Sequence, residues 1–237
     1  MSVTAFAIAA FAVLLGACLQ GALGFGLGML GGPILALLDP TLIPGPLLLL
    51  ATALTLIVAV RERAELDLSG AKWALLGRVP GTVAGAVMVA YLPARILALV
   101  LAGVVLVGTA ISAFGWVPRP TRNAVIVAGM ASGAMGTATA IGGPPMALVW
   151  QDSAASSRRA TMSAFFLAGC VMSVAALTVS GTITPTTVVS AAQLLPFLLL
   201  GYGASLLLNR HLNQAKLRTL ALTLSATGAT LLALRQL

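Results

Sequence analysis

Acidic side chains are scarce in this chain. Asp39, Glu62, Glu65, Asp67 and Asp152 are its five carboxylates in 237 residues. Charged residues of both signs make up 8%, against about a quarter in a soluble domain. A water-facing surface cannot be assembled from so few, and lipid must take its place. Histidine occurs once, as His211, outside the apolar runs. The chain therefore holds no metal-ligand cluster, and an intramembrane hydrolase would lack a base within reach of its nucleophile. Ser132, in Gly129-Met130-Ala131-Ser132-Gly133, misses the Gly-x-Ser-x-Gly spacing of a nucleophile elbow. No Walker motif is present, so ATP hydrolysis has no support. Cys18 and Cys170 both lie inside apolar stretches and read as small buried hydrophobes.

What is present is apolar: 59% of the residues are hydrophobic and the mean hydropathy is +1.07. The thirteen Lys and Arg residues, which give a net charge of +8, are scattered through short connections. That is how a membrane protein sets its orientation, and it does not resemble a nucleic-acid surface. The first apolar stretch begins at Val3 with no basic residue before it and outruns a signal peptide, so it is read as part of the mature chain.

Six runs have the length of ordinary membrane spans, about 20 residues: 42–60, 72–92, 95–116, 161–181, 187–208 and 217–235. Two others do not fit one crossing. Residues 3–38 carry no charge and would extend roughly 54 Å as a helix, against a hydrocarbon core of about 30 Å. Residues 124–150 are similar, and glycine clusters interrupt both. Threaded as single crossings, these runs leave the basic residues split evenly between the two faces. Threaded as hairpins, they leave Arg95 and Arg235 on one side and the other eleven basic residues opposite. The positive-inside bias then makes the eleven-residue side cytoplasmic. The expected protein is a multi-pass cell (inner) membrane protein with both termini on the non-cytoplasmic side.

The two hairpins resemble each other. One carries Gly21-Ala22-Leu23-Gly24 and then Gly31-Gly32-Pro33; the other carries Gly133-Ala134-Met135-Gly136 and then Gly142-Gly143-Pro144. Pro80 with Gly85 is echoed by Pro196 with Gly201. The expected fold is all-α integral membrane, in two repeats. Residues 1–117 hold hairpin 3–38 and three spans, and residues 118–237 hold hairpin 124–150 and three more. Three crossings per half would invert the second copy, the plan of many secondary transporters. Irregular backbone at membrane depth must then be enclosed by protein or line a cavity.

Paired glycine-rich motifs ending in Gly-Gly-Pro, one per half of so short a chain, resemble the TauE/SafE family. Its members are described as sulfite and organosulfonate exporters and related transporters. The resemblance runs through residues 21–33, the basic stretch 61–78, residues 133–145 and the helices of the second half. It implies a cofactor-free protein acting on small sulfur-containing anions.

An anion needs hydrogen-bond donors away from carboxylates, and neither hairpin contains Asp or Glu. Gly24, Gly31, Gly32, Pro33, Gly136, Gly142, Gly143 and Pro144 mark where backbone could approach a substrate. The competing reading of each glycine is close helix packing. Thr137 and Thr139, with Ser132, could donate hydroxyls to the substrate or bond their own helix. Arg78 reads either as snorkelling to the lipid interface or as drawing anions into a cytoplasmic vestibule. Asp39 and Asp152 are placed to cap the following helices. Gln193 reads as a hydrogen-bonding contact between helices. The leading function is a membrane exporter of small sulfur-containing anions by alternating access. The alternative is a passive channel for small anions or neutral solutes, although neither break carries the Asn-Pro-Ala motif of aquaporins. The partners are a small anionic substrate and the bilayer, and a homodimer suits the composition as well as a monomer.

Overall fold

The computed structural model describes residues 2–66, 68–114, 121–150, 155–208 and 214–236, which are helical apart from short breaks and turns, with no strand among them. The helices are α1 (Val3–Leu23), α2 (Gly32–Leu38), α3 (Gly45–Arg61), α4 (Leu68–Tyr91), α5 (Ala94–Phe114), α6 (Arg122–Thr139), α7 (Gly143–Val149), α8 (Ala155–Val179), α9 (Pro185–Leu208) and α10 (Gln214–Gln236). Among the described residues, six stretches are long and apolar enough to cross a membrane: Val3–Leu23, Pro40–Arg61, Ala71–Tyr91, Ala94–Ile111, Arg159–Val179 and Pro185–Leu207. Hydroxyl caps start both glycine-broken segments. Ser2 accepts the Ala5 N–H, and Thr121 accepts the Ala124 N–H.

The hairpins differ from the expected form in one respect. Their two legs are unequal, and the first turns earlier than its Gly-Gly-Pro. α1 is a full-length helix of 21 residues, about 31 Å. The chain breaks at Gly24–Gly26, and the return leg Leu27–Leu38 is only 12 residues long, about 18 Å. Gly24 and Gly26 have φ of 88° and 150°, conformations that side chains with a Cβ rarely adopt. Gly31, Gly32 and Pro33 lie within the return leg, which opens as a π-turn over Leu27–Gly31. Pro33 sits in the first turn of α2, where a missing N–H costs nothing. In the second hairpin α6 ends on Ala140, left-handed at φ 61°, and Gly143-Pro144 opens α7 as expected.

Packing follows the glycines. Gly77, Gly81 and Gly85 of α4 press in turn on the carbonyls of Ile126, Met130 and Ala134 of α6. The two helices therefore run side by side in the same direction, with backbones closer than any side chain would allow. The opposite face of α4 carries Val79, Val83 and Val87, each more than half exposed, as a lipid-facing stripe. α1 and α9 are also parallel: Phe6 meets Phe197, Gly201 presses on the Leu14 carbonyl, and Gly21 meets Ser205. α3 and α8 are antiparallel. Gly45 at the start of α3 touches Ile183 and Thr187, while Glu62 at its end pairs with Arg159 at 3.2 Å. Arg95 donates to the Gln236 carbonyl and joins the start of α5 to the end of α10.

Candidate functional site

The two breaks meet inside the bundle. Gly28, just past the first break, presses on the Ala140 carbonyl of the second. Gly32 faces the Ile141 side chain, and Gly143 faces Phe25. Two polar side chains fasten the returning backbones. Gln20 Oε1 accepts the Leu27 N–H at 3.2 Å, and the Ser132 hydroxyl donates to the Gly142 carbonyl at 2.7 Å. Each is the residue immediately before its Gly-Ala-x-Gly motif, Gln20 about one turn and Ser132 about two turns before its break.

Between these fastenings lies a cavity offering about 40 Å³ to the centres of water-sized groups, room for about three waters. Gln20, Phe25, Gly28, Thr55, Gly136 and Gly142 contribute to its wall, with Arg78, Phe166 and Cys170. Arg78 is the one charged residue there and is only 1% exposed. It projects from the middle of α4 into the bundle, so the snorkelling reading fails: the side chain faces neither lipid nor headgroups. The cytoplasmic vestibule is displaced as well, because the guanidinium sits beside the central breaks. Arg78 also drops out of the orientation tally, leaving ten basic residues against two.

The guanidinium is held on three sides. Nη1 donates to Ser132 Oγ at 3.1 Å. The rings of Phe165 and Phe166 lie 4.7 and 5.7 Å from Cζ, within cation–π range. Gly169 of α8 leaves the volume that the guanidinium fills; a methyl group there would overlap it. Nε is buried with no hydrogen-bond partner, and no carboxylate of the described residues lies within 4 Å of Arg78. A buried charge without a counterion costs on the order of several kcal/mol. Such an arrangement has the charge and the free donor to receive an anion.

The family model described as sulfite exporter TauE/SafE matches residues 8–232. The chain belongs to the TauE/SafE family. That makes it a membrane transporter, of a family associated with sulfur anions, and agrees with the expected absence of enzyme chemistry. No curated protein and no solved structure matches it.

Within this TauE/SafE chain, Gly136, Gly142, Gly143 and Arg78 are brought together at the cavity wall. Gly24 caps α1 against Arg159 instead. Gly31 has only loose neighbours at 3.9 Å, Gly32 packs on Ile141, and Pro144 packs on Gly108. Pro33 faces Gly228 of α10. Thr137 shares a hydrogen bond with Ser173 of α8 at 2.7 Å, a contact between helices. Thr139 donates to the Met135 carbonyl of its own helix. Neither hydroxyl is turned to the cavity. Asp39 caps the turn Pro40–Leu42 by accepting the Thr41 N–H, whereas Asp152 and His211 lie outside the described residues. Gln193 lines a separate hollow with Ser2, Asp39 and Ser190. Gly26, Gly28, Phe166 and Gly169 are the positions that motif reading passes over. The one signal for Gly169 is a glycine in the middle of the apolar run 161–181, with nothing in the sequence to tie it to Arg78.

Proposed function

We propose that this transporter carries a small sulfur oxyanion, sulfite or a short sulfonate, across the cell membrane by alternating access, with Arg78 as the fixed charge that holds it. The observation that carries this reading is the buried guanidinium at the meeting point of the two breaks, with Nε unpartnered. A cation so enclosed marks an ion pathway more often than a structural element.

The inverted-repeat mechanism draws support from the helix pairings. Taking α1–α5 and α6–α10 as two halves, the most extensive helix contacts between halves have counterparts with the halves exchanged. α4 on α6 answers α9 on α1, α4 on α8 answers α9 on α3, and α2 on α10 answers α7 on α5. Gly85 and Gly201, matched by their prolines, each press on the first helix of the opposite half. The directions agree: α1 runs with α9, α9 runs against α8, and α8 runs against α3. α6 runs with α4, which runs against α3, so α1 and α6 point opposite ways. Rocking one half against the other around the shared breaks would open the cavity to each side in turn.

The test is flux into proteoliposomes with a panel of sulfite, sulfonates, sulfate and thiosulfate, with and without a proton gradient. Saturable uptake of a sulfur oxyanion, accelerated by the same anion on the far side, is expected of a carrier. A channel would give flux without saturation or acceleration. Arg78→Gln should cut uptake by on the order of 100-fold, the loss of a desolvated charge pair, and Arg78→Lys should keep part of it. Undiminished flux in Arg78→Gln would remove Arg78 from the mechanism.

A further inference from the structure

Resting on that reading, we infer that the carrier selects by charge number as well as by chemistry. It takes up monoanions and rejects dianions, so that for a weak acid such as sulfite the protonated form is the one transported.

The argument is a charge count around Arg78. From α6 it is faced by Ser132 and Gly136, from α8 by Phe165, Phe166, Gly169 and Cys170, and from the second break by Gly142. Gln20, Phe25 and Thr55 complete the wall from the first hairpin and α3. Among these residues there is no Asp, Glu, His or Lys, and Cys170 is the one titratable group besides Arg78 itself. The cavity therefore contributes a single positive charge, and no second cation is placed to balance a second negative one.

One monoanion makes the occupied cavity neutral. A dianion leaves one uncompensated negative charge in a low-dielectric interior, the situation that buried ions avoid by taking up a proton. Among the described residues the wall holds no carboxylate or imidazole to supply that proton. It has to arrive on the substrate. Hydrogensulfite and sulfonates without a second ionised group meet this condition, whereas sulfate and fully ionised sulfite do not.

The experiment uses wild-type protein in proteoliposomes, with equal pH on both sides, at subsaturating methanesulfonate, sulfite and sulfate. Methanesulfonate is a monoanion at every pH used and reports any effect of pH on the protein. Between about pH 6 and about pH 8 its flux should stay level, while sulfite flux falls in proportion to the hydrogensulfite fraction, by about fivefold over the first unit above its own second ionisation and approaching tenfold per unit beyond. Sulfate flux should be at least about 100-fold below that of methanesulfonate throughout. Sulfite flux that stays level or rises with pH, or sulfate carried as well as methanesulfonate, would overturn the inference and leave the transport reading standing. A methanesulfonate flux that falls alongside sulfite would also overturn it, since the pH effect would then belong to the protein. Absence of flux for all three would instead overturn the transport reading, and the inference with it.

Discussion

Ser132 orients Arg78. Its oxygen lies 3.1 Å from Nη1, and its own proton goes to the Gly142 carbonyl at 2.7 Å, so one hydroxyl ties the charge of α4 to the second break. Ser132→Ala keeps the charge but removes both bonds, and leaves a buried carbonyl without its donor. The expected cost is about 1–3 kcal/mol in stability and a rise in apparent KM for the anion, with kcat affected less. Thermal unfolding in detergent and initial-rate flux measure the two. An unchanged KM would show that the guanidinium keeps its orientation without the serine.

Gly169 offers a sharper test, because a methyl group there must push the guanidinium aside. Gly169→Ala should insert normally and yet lose most transport. Gly103 and Gly203 have nothing within 4 Å of where a Cβ would stand, so Gly103→Ala and Gly203→Ala serve as matched controls with expected wild-type flux. Equal activity in all three variants would mean that Arg78 can work from another rotamer.

Much of this was legible in the sequence. Five of the six expected spans and the two interrupted segments follow from charge-free length and from residues such as Gly142 and Gly143, because lipid imposes a simple length rule; the sixth candidate among the described residues is Val3–Leu23, expected as one leg of a hairpin, in place of 217–235. The depth of Arg78 was not legible. Ten residues into a helix that begins at Leu68, it is compatible with an interfacial position by count alone, and only the neighbouring α6 and α8 decide that it points inward. The role of Thr137 was equally hidden, since its partner Ser173 is 36 residues away in the chain. Gly31 shows the opposite error. It belongs to a conspicuous motif, yet the turn is made by Gly24 and Gly26, where the backbone takes positive φ.

The ridge of Gly77, Gly81 and Gly85 should govern stability more than transport chemistry. A side chain at Gly81 would run into the Met130 carbonyl, which belongs to helix backbone and cannot swing away. Gly81→Leu should therefore separate α4 from α6, costing at least about 1–3 kcal/mol as overpacking, and lower the melting temperature. Gly31→Leu, with its nearest neighbours at 3.9 Å and on flexible leucines, should be far milder. Similar melting temperatures for the two would show that α4 and α6 are not held by this close approach.

The last prediction concerns which ends share a face of the membrane. α4 and α6 run in parallel, so the connection before each lies at the same end of the bundle. The Glu62–Arg159 pair brings the start of α8 to that end as well. Gly45, against Ile183 and Thr187, puts the segment before α3 and the turn before α9 together at the other end. Arg61, Arg63, Lys72, Arg122 and Arg159 lie at the first end, which the positive-inside bias assigns to the cytoplasm. In a background lacking Cys18 and Cys170, both buried, single cysteines can report each face. Thr41→Cys and Thr184→Cys should react with an impermeant thiol reagent in intact cells. Thr121→Cys and Ser157→Cys should react only after the membrane is opened. If Thr121→Cys and Ser157→Cys fall on opposite faces, α6 and α7 do not form a returning hairpin, and the two halves cannot be inverted copies. If all four sort by pair but with the faces exchanged, the hairpins stand and the charge rule alone has failed.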